Sequence, residues 1–153
     1  MRIVIRGPTA IRRTVCFSEA VRLGKYTVEG ITARRATPAE VPGLLAAGAI
    51  PVLVDPTGAC IPALQPEGVV DAILAKKNLG TTMDMAPVVV AVGPGFTAGV
   101  DCHAVVETMR GHHLGRVIYA GSAQPNTNIP GLIGGFAGER TASSRGCGRS
   151  ATR

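Results

Sequence analysis

Tryptophan is absent from the chain, and only two tyrosines and three phenylalanines occur in 153 residues. A core must therefore be built from Val, Ile, Leu and Ala, with 20 glycines available for tight turns, which is the composition of an α/β protein. The scarcity of aromatic rings also removes the stacking platforms that single-stranded nucleic acids use. The four cysteines, Cys16, Cys60, Cys102 and Cys147, are widely separated and form no C-x-x-C pair. That spacing argues against a zinc ribbon, a dithiol redox motif or a disulfide framework, and free thiols in a reducing cytosol are expected. No apolar run approaches the roughly 20 residues that span a bilayer, and no signal-peptide pattern occurs, so a cytoplasmic protein with no membrane partner is expected.

Acidic residues are the scarcer charge, ten against sixteen Lys and Arg, giving a formal +6. The excess is concentrated late in the chain. Residues 140–153 carry Arg140, Arg145, Arg149 and Arg153 with no acid, leaving twelve basic and ten acidic residues before them. Without an aromatic-interleaved basic stripe, nucleic acid is not expected as a partner. The Ser/Gly/Arg composition of 140–153 has little to bury and reads as a disordered tail, so the expected division is one α/β domain over 1–139 followed by that tail.

Periodicity and turn residues supply the elements. Arg2–Ile5 reads as a short strand stopped by Gly7-Pro8, and Ser18 opens a short helix that ends near Gly24. Tyr26–Val28 and Ile31–Ala33 flank Glu29-Gly30, a hairpin signal. Thr37-Pro38-Ala39-Glu40 combines a capping hydroxyl, a proline at the first helical position and a capping-box glutamate, and Gly48 closes the resulting helix. Ile50–Val54 is an apolar strand delivering Asp55, and Gly68–Leu74 repeats the plan around Asp71. Pro87–Val92 is too short and too valine-rich for a buried helix, while His103–Thr108 and Arg116–Tyr119 read as two further strands. There is no G-x-G-x-x-G phosphate fingerprint after the first strand and no G-x-S-x-G nucleophile elbow.

Three segments carry candidate chemistry. Gly93, Gly95, Thr97 and Gly99 form a glycine-rich turn after a core strand, where backbone N–H groups can face an anion or where glycine merely permits the turn. Lys76, Lys77, Asn78, Thr81, Thr82 and Asp84 group cations, an amide and hydroxyls that suit phosphate, although a solvated loop would look similar. Asp101, His103, Glu107, Arg110, His112 and His113 gather all three histidines. His103, Glu107 and His112 are the candidates for proton transfer, with Glu107 sharing a strand face with His103 and either orienting it or forming a half-buried structural pair with it. Cys102 and His103 alternate across that strand and no ligand spacing is recognisable, so no metal site is expected. Asp55 and Asp71 are read as turn-capping or strand-end carboxylates, which must be hydrogen-bonded if buried.

Several linked blocks add a family resemblance over roughly residues 8–139. They are Pro8–Val15, Ile50–Pro56, Val70-Asp71-Ala72-Ile73-Leu74-Ala75-Lys76-Lys77-Asn78, Gly93-Pro94-Gly95-Phe96-Thr97-Ala98-Gly99, Asp101 with His103, and Val105–His112 through Leu114–Val117. Together these resemble the accessory, or maturation, proteins of selenium-dependent molybdenum hydroxylases. The resemblance implies an α/β fold with a Rossmann-like mixed sheet and extra β-hairpins, here lacking the first glycine-loop helix because Pro8 already matches the family's segment beyond that helix and the next strand. It also implies a missing C-terminal part, since the family pattern stops near Arg140.

The implied role is to bind or deliver a molybdenum cofactor, its phosphate-bearing precursor or its sulfur or selenium ligand. The partners would be the hydroxylase apoenzyme and a small anionic ligand, either a molybdopterin-type cofactor or a nucleotide, with homo-oligomerisation open. The competing readings are a nucleotide- or phosphate-binding transferase and a non-catalytic protein-interaction remnant.

Overall fold

A computed structural model of the chain describes residues 3–5 and 13–127; the tail over 140–153 lies outside them, as do residues 6–12. It is a mixed α/β protein with parallel and antiparallel pairings in the same sheets and few helices. The expected single domain resolves into two compact units, Met1–Pro66 and Glu67–Arg153.

The first unit contains β1 (Ile3–Ile5), α1 (Ala20–Leu23), β2 (Lys25–Val28), β3 (Ile31–Arg35), α2 (Val41–Ala46), β4 (Ile50–Val54) and α3 (Ile61–Leu64). Its sheet has the order β1-β4-β3-β2. The pairs β1–β4 and β4–β3 are parallel, and β2 returns antiparallel to β3. The hairpin turns at Glu29 and Gly30, both at positive φ (50° and 80°), as a two-residue primed turn requires. Thr37 and Glu40 form the capping box, with Thr37 N donating to Glu40 Oε2 at 2.8 Å. A short 3-10 turn over Pro38–Glu40 leads into α2, and Gly48 ends it at φ 73°. Ala20, Ala33 and Val52 are fully buried at the centre of this unit, packed by Phe17, Val21, Tyr26 and Ile50.

The second unit contains β5 (Gly68–Asp71), β6 (Val88–Val92), β7 (Thr97–Ala98), β8 (Ala104–Val106), β9 (Val117–Ile118) and β10 (Gly121–Ser122). The main sheet runs β5-β6-β8-β9, parallel through β5, β6 and β8 and antiparallel at β9, while β7 and β10 pair separately. Small and β-branched residues fill its core: Val89, Ala91, Val105, Cys102, Ala98, Ala123 and the one buried ring among the described residues, Phe96. The alternation along β6, with Val89 and Ala91 buried between more open neighbours, is the period-two pattern of a strand with one packed face.

Among the described residues no helix is long and apolar enough to cross a membrane.

Candidate functional site

In an open parallel sheet the chain leaves each strand at its carboxyl end to cross back, so loops and their polar groups collect at that edge. In the second unit Asp71 closes β5, the glycine turn comes after β6, and Glu107 comes after β8. Asp71 is buried at 7% exposure, which an unpaired carboxylate would not tolerate. Its Oδ1 accepts from Ile73 N at 3.0 Å and its Oδ2 from Thr81 Oγ1 at 2.6 Å. Asn78 continues the network: its Oδ1 accepts from Gly80 N and Thr81 N, and its Nδ2 donates to Thr81 O at 2.8 Å and Asp101 Oδ1 at 3.2 Å. Asp101 in turn accepts from Thr97 N at 2.7 Å. One chain of bonds, Asp71–Thr81–Asn78–Asp101–Thr97, therefore ties the crossover after β5 to the crossover after β6.

Glycine makes this contact possible. Gly95 sits at φ 103°, and a Cβ there would lie 2.5 Å from Lys77 Cα and 2.7 Å from the Lys76 carbonyl carbon. At Gly93 a Cβ would meet Thr108 Oγ1 at 3.1 Å and Leu74 Cδ2 at 3.5 Å. The crossovers after β5, β6 and β8 thus meet at one place. Leu74 and Lys76 also hold positive φ, 58° and 62°. For residues with a Cβ this is strained by an amount on the order of 1–3 kcal/mol and is often found where a loop has a task beyond connection.

Glu107 is 3% exposed. Its Oε1 accepts from Thr108 N and Met109 N at 2.7 Å each, and its Oε2 from Gln124 N at 2.8 Å. Burial pushes its carboxyl upward, but the bonds from Gln124, Met109 and Thr108, with His113 nearby, outweigh it and hold the carboxyl below its ordinary range. Glu107 is thereby a clamp on the chain after β8.

The expected pairing of Glu107 with His103 is not what brings these residues into the fold. His103 precedes β8, and its Nδ1 accepts from Val89 N at 3.0 Å while its own N donates to Val89 O at 2.8 Å. It lies near the amino end of β6, separated from Glu107 by four residues of extended chain, roughly 13 Å. His112 and Arg110 are exposed in the loop between β8 and β9.

The glycine turn also differs from an anion cradle. Gly93 N donates to Val106 O, Gly99 N to Cys102 O and Thr97 N to Asp101, so these amides extend or brace the fold instead of facing a ligand. Thr97 Oγ1 is paired with Ser122 Oγ at 3.0 Å, and Thr82 Oγ1 donates to Asp84. The groups left for an anion at this edge are the exposed Lys76 and Lys77, which form no ion pair among the described residues. No group of three His, Cys, Asp or Glu capable of holding a metal ion occurs among the described residues.

Sequence reasoning missed a feature of the first unit: an open cleft of about 920 Å³ at the carboxyl ends of β3 and β4, lined by residues that include Lys25, Arg34, Arg35, Asp55 and Cys60. Asp55 Oδ1 accepts from Thr57 N, Thr57 Oγ1 and Gly58 N, and its Oδ2 accepts from Cys60 N at 2.7 Å. The Cys60 amide leads these bonds in holding the Asp55 carboxyl far below its usual range, against the opposing effect of burial. The Cys60 thiol moves the other way, pushed up to about 11 by burial and then by the Asp55 carboxylate. Burial also raises the Cys102 thiol. Both thiols are therefore protonated near neutral pH, which makes them weak nucleophiles.

The chain is similar to the uncharacterised protein YqeB of Escherichia coli (strain K12), 59% identical over 137 residues, a match covering 89% of this chain and 25% of that protein. The chain thus spans about a quarter of the length of the curated relative it matches. No protein-family profile matches the chain, and no solved structure matches it.

Proposed function

We propose that this chain is part of a cytoplasmic accessory protein that matures a selenium-dependent molybdenum hydroxylase, receiving a phosphate-bearing cofactor or precursor and passing it to the apoenzyme. The family element rests on the linked motifs Val70–Asn78, Gly93–Gly99 and Val105–Val117. The observation that carries the ligand element is the Lys76–Lys77 pair: two exposed cations without ion pairs among the described residues, on a strained loop that Gly95 allows to sit against the neighbouring crossover. The Asp71–Thr81–Asn78 network pins the backbone of the loop that carries those ammonium groups, so binding has mainly the lysine side chains left to order.

Cys102 is fully buried, and burial with the Asp55 carboxylate raises the Cys60 thiol, so neither of these two cysteines offers a ready thiolate to a sulfur or selenium ligand. His103 is engaged near the amino end of β6, which speaks against it as the proton carrier of a transfer reaction and leaves that role to the exposed His112 in the loop after β8.

The test is thermal unfolding of the full chain with molybdopterin-type ligands, nucleotides and molybdate. A ligand that binds only the folded state stabilises it by about 2.7 kcal/mol at a hundred times its Kd. The expected result is a shift from a phosphate-bearing ligand that is lost in the K76Q/K77Q double variant. A cooperative transition that no ligand moves would instead favour a protein-interaction role, to be checked by co-purification with the apoenzyme.

A further inference from the structure

The main sheet of the second unit is closely packed on one face, where Val89, Ala91 and Val105 are fully buried. Its other face pairs Val70 with Val90, Val92 with Val106, and Val106 with Val117 across the four strands. That face is open: Val70 is 66% exposed, Val88 52% and Val117 44%. No α-helix occurs in this unit among the described residues, and within the strands no polar or charged side chain stands on the open face. The strand β6 is apolar at every position, Val88-Val89-Val90-Ala91-Val92. A strand with one wet face alternates with polar residues, whereas an unbroken apolar run belongs to a parallel strand covered on both faces. The sequence of the sheet therefore calls for a second layer.

We infer that this face is the docking surface for the chain's own residues 129–136, with Ile129, Leu132, Ile133 and Phe136 packed across the valines. These four stand at the spacing i, i+3, i+4 and i+7, which puts them in one stripe of a helical stretch. Gly131, Gly134 and Gly135 make that stretch a poor helix by itself, so the sheet has to supply its stability. Beyond it the chain has little else to offer: residues 140–153 contain only Ala142, Cys147 and Ala151 as apolar residues. The tether is favourable. Gln124 N donates to Glu107 Oε2 at 2.8 Å, which holds the chain at the carboxyl end of β8, on the rim of the same sheet. Five residues from there to Ile129 reach up to about 17 Å, enough to pass a rim where packed layers lie about 10 Å apart. Eight helical residues are about 12 Å long, and four strands at about 4.8 Å spacing are roughly 14 Å across. The segment and the face are matched in length and in chemistry. This inference is independent of any role of Lys76 and Lys77 in binding phosphate.

The experiment is fluorescence of the full chain carrying F136W, which becomes the sole tryptophan. Its emission should be blue-shifted and quenched by acrylamide several-fold less than in urea, and both signatures should weaken when V70D or V88D puts a charge on the face. Emission like that of the unfolded chain would overturn the docking, and so would a blue shift that neither aspartate moves, because residue 136 would then be buried elsewhere. If an aspartate abolishes the cooperative melt, V70T and V88T, which keep the branched shape and add a hydroxyl, take its place under the same criteria. Sedimentation of the wild-type chain separates the remaining occupant. A monomer is expected; a dimer dissociated by V88D but left intact by L132S/I133S would assign the face to a second copy and overturn the proposal.

Discussion

Gly95 packs onto the backbone of Lys77, leaving 2.5 Å between the position of an added Cβ and the Lys77 Cα. Both partners in that contact are backbone, so no side-chain rotation can relieve it. Gly95→Ala combines the clash with a positive-φ penalty, each on the order of 1–3 kcal/mol, and should destabilise the second unit by about 3 kcal/mol. Chemical denaturation measures this, and a loss below about 1 kcal/mol would mean that the two crossovers can move apart at little cost.

Lys76→Gly should behave in the opposite sense. At φ 62° the lysine backbone is strained, and glycine relieves it. The usual penalty of introducing glycine, about 0.5–1 kcal/mol, should therefore be absent or reversed. Stability should stay level or rise while affinity for a phosphate-bearing ligand falls. A drop in both would argue against strain at this position.

Acid should loosen both units through their loop carboxylates. Glu107 and Asp55 have folded-state values below their ordinary ones, 4.5 and 3.8, so the folded state binds fewer protons than the unfolded chain in the window beneath those values. The stabilisation is fully present above about pH 5 and is lost as pH falls through the folded values. Melting temperatures should be flat from pH 7 to about 5 and decline below. Glu107→Gln, with one acceptor oxygen replaced by a donor amide, should be less stable at pH 7 by about 2 kcal/mol and should decline less steeply in acid. A parallel decline in wild type and variant would exclude Glu107 as a source of the acid sensitivity.

His103→Ala should lower stability by about 1–2 kcal/mol, because it leaves the Val89 amide without its Nδ1 acceptor, and should leave ligand affinity unchanged. If instead ligand binding or any turnover vanished with stability intact, His103 would belong to the chemistry after all.

Much of the fold was legible wherever local chemistry decides the outcome. The capping box at Thr37 and Glu40, the Glu29-Gly30 turn, and the apolar runs at Ile50–Val54 and Val88–Val92 each act within a few residues, and each element formed where expected. Asp71 and Asp55 were legible as carboxylates needing partners, though their partners Thr81 and Cys60 were not. The Gly93–Gly99 segment was legible as a turn that glycine permits, but the close approach of Gly95 to Lys76 and Lys77 was not, because it depends on the packing of a separate crossover. The cationic cleft escaped notice because Lys25 and Arg34 are not neighbours in sequence. One signal was present: a two-residue turn at 29–30 places positions 25 and 34 opposite each other, so the hairpin register alone joins these two cations.

Residues 72–87 and 93–103 connect parallel strands without a single α-helix, and this bears on the order in which the second unit folds. A crossover helix can form early from local bonds; these segments offer no such head start, so chain closure has to precede the pairing of β5, β6 and β8. The side-chain bonds linking Asp71, Thr81, Asn78 and Asp101 can form only once that pairing exists. They should act as a latch set after the barrier, so that removing one hastens unfolding and leaves the folding rate almost untouched.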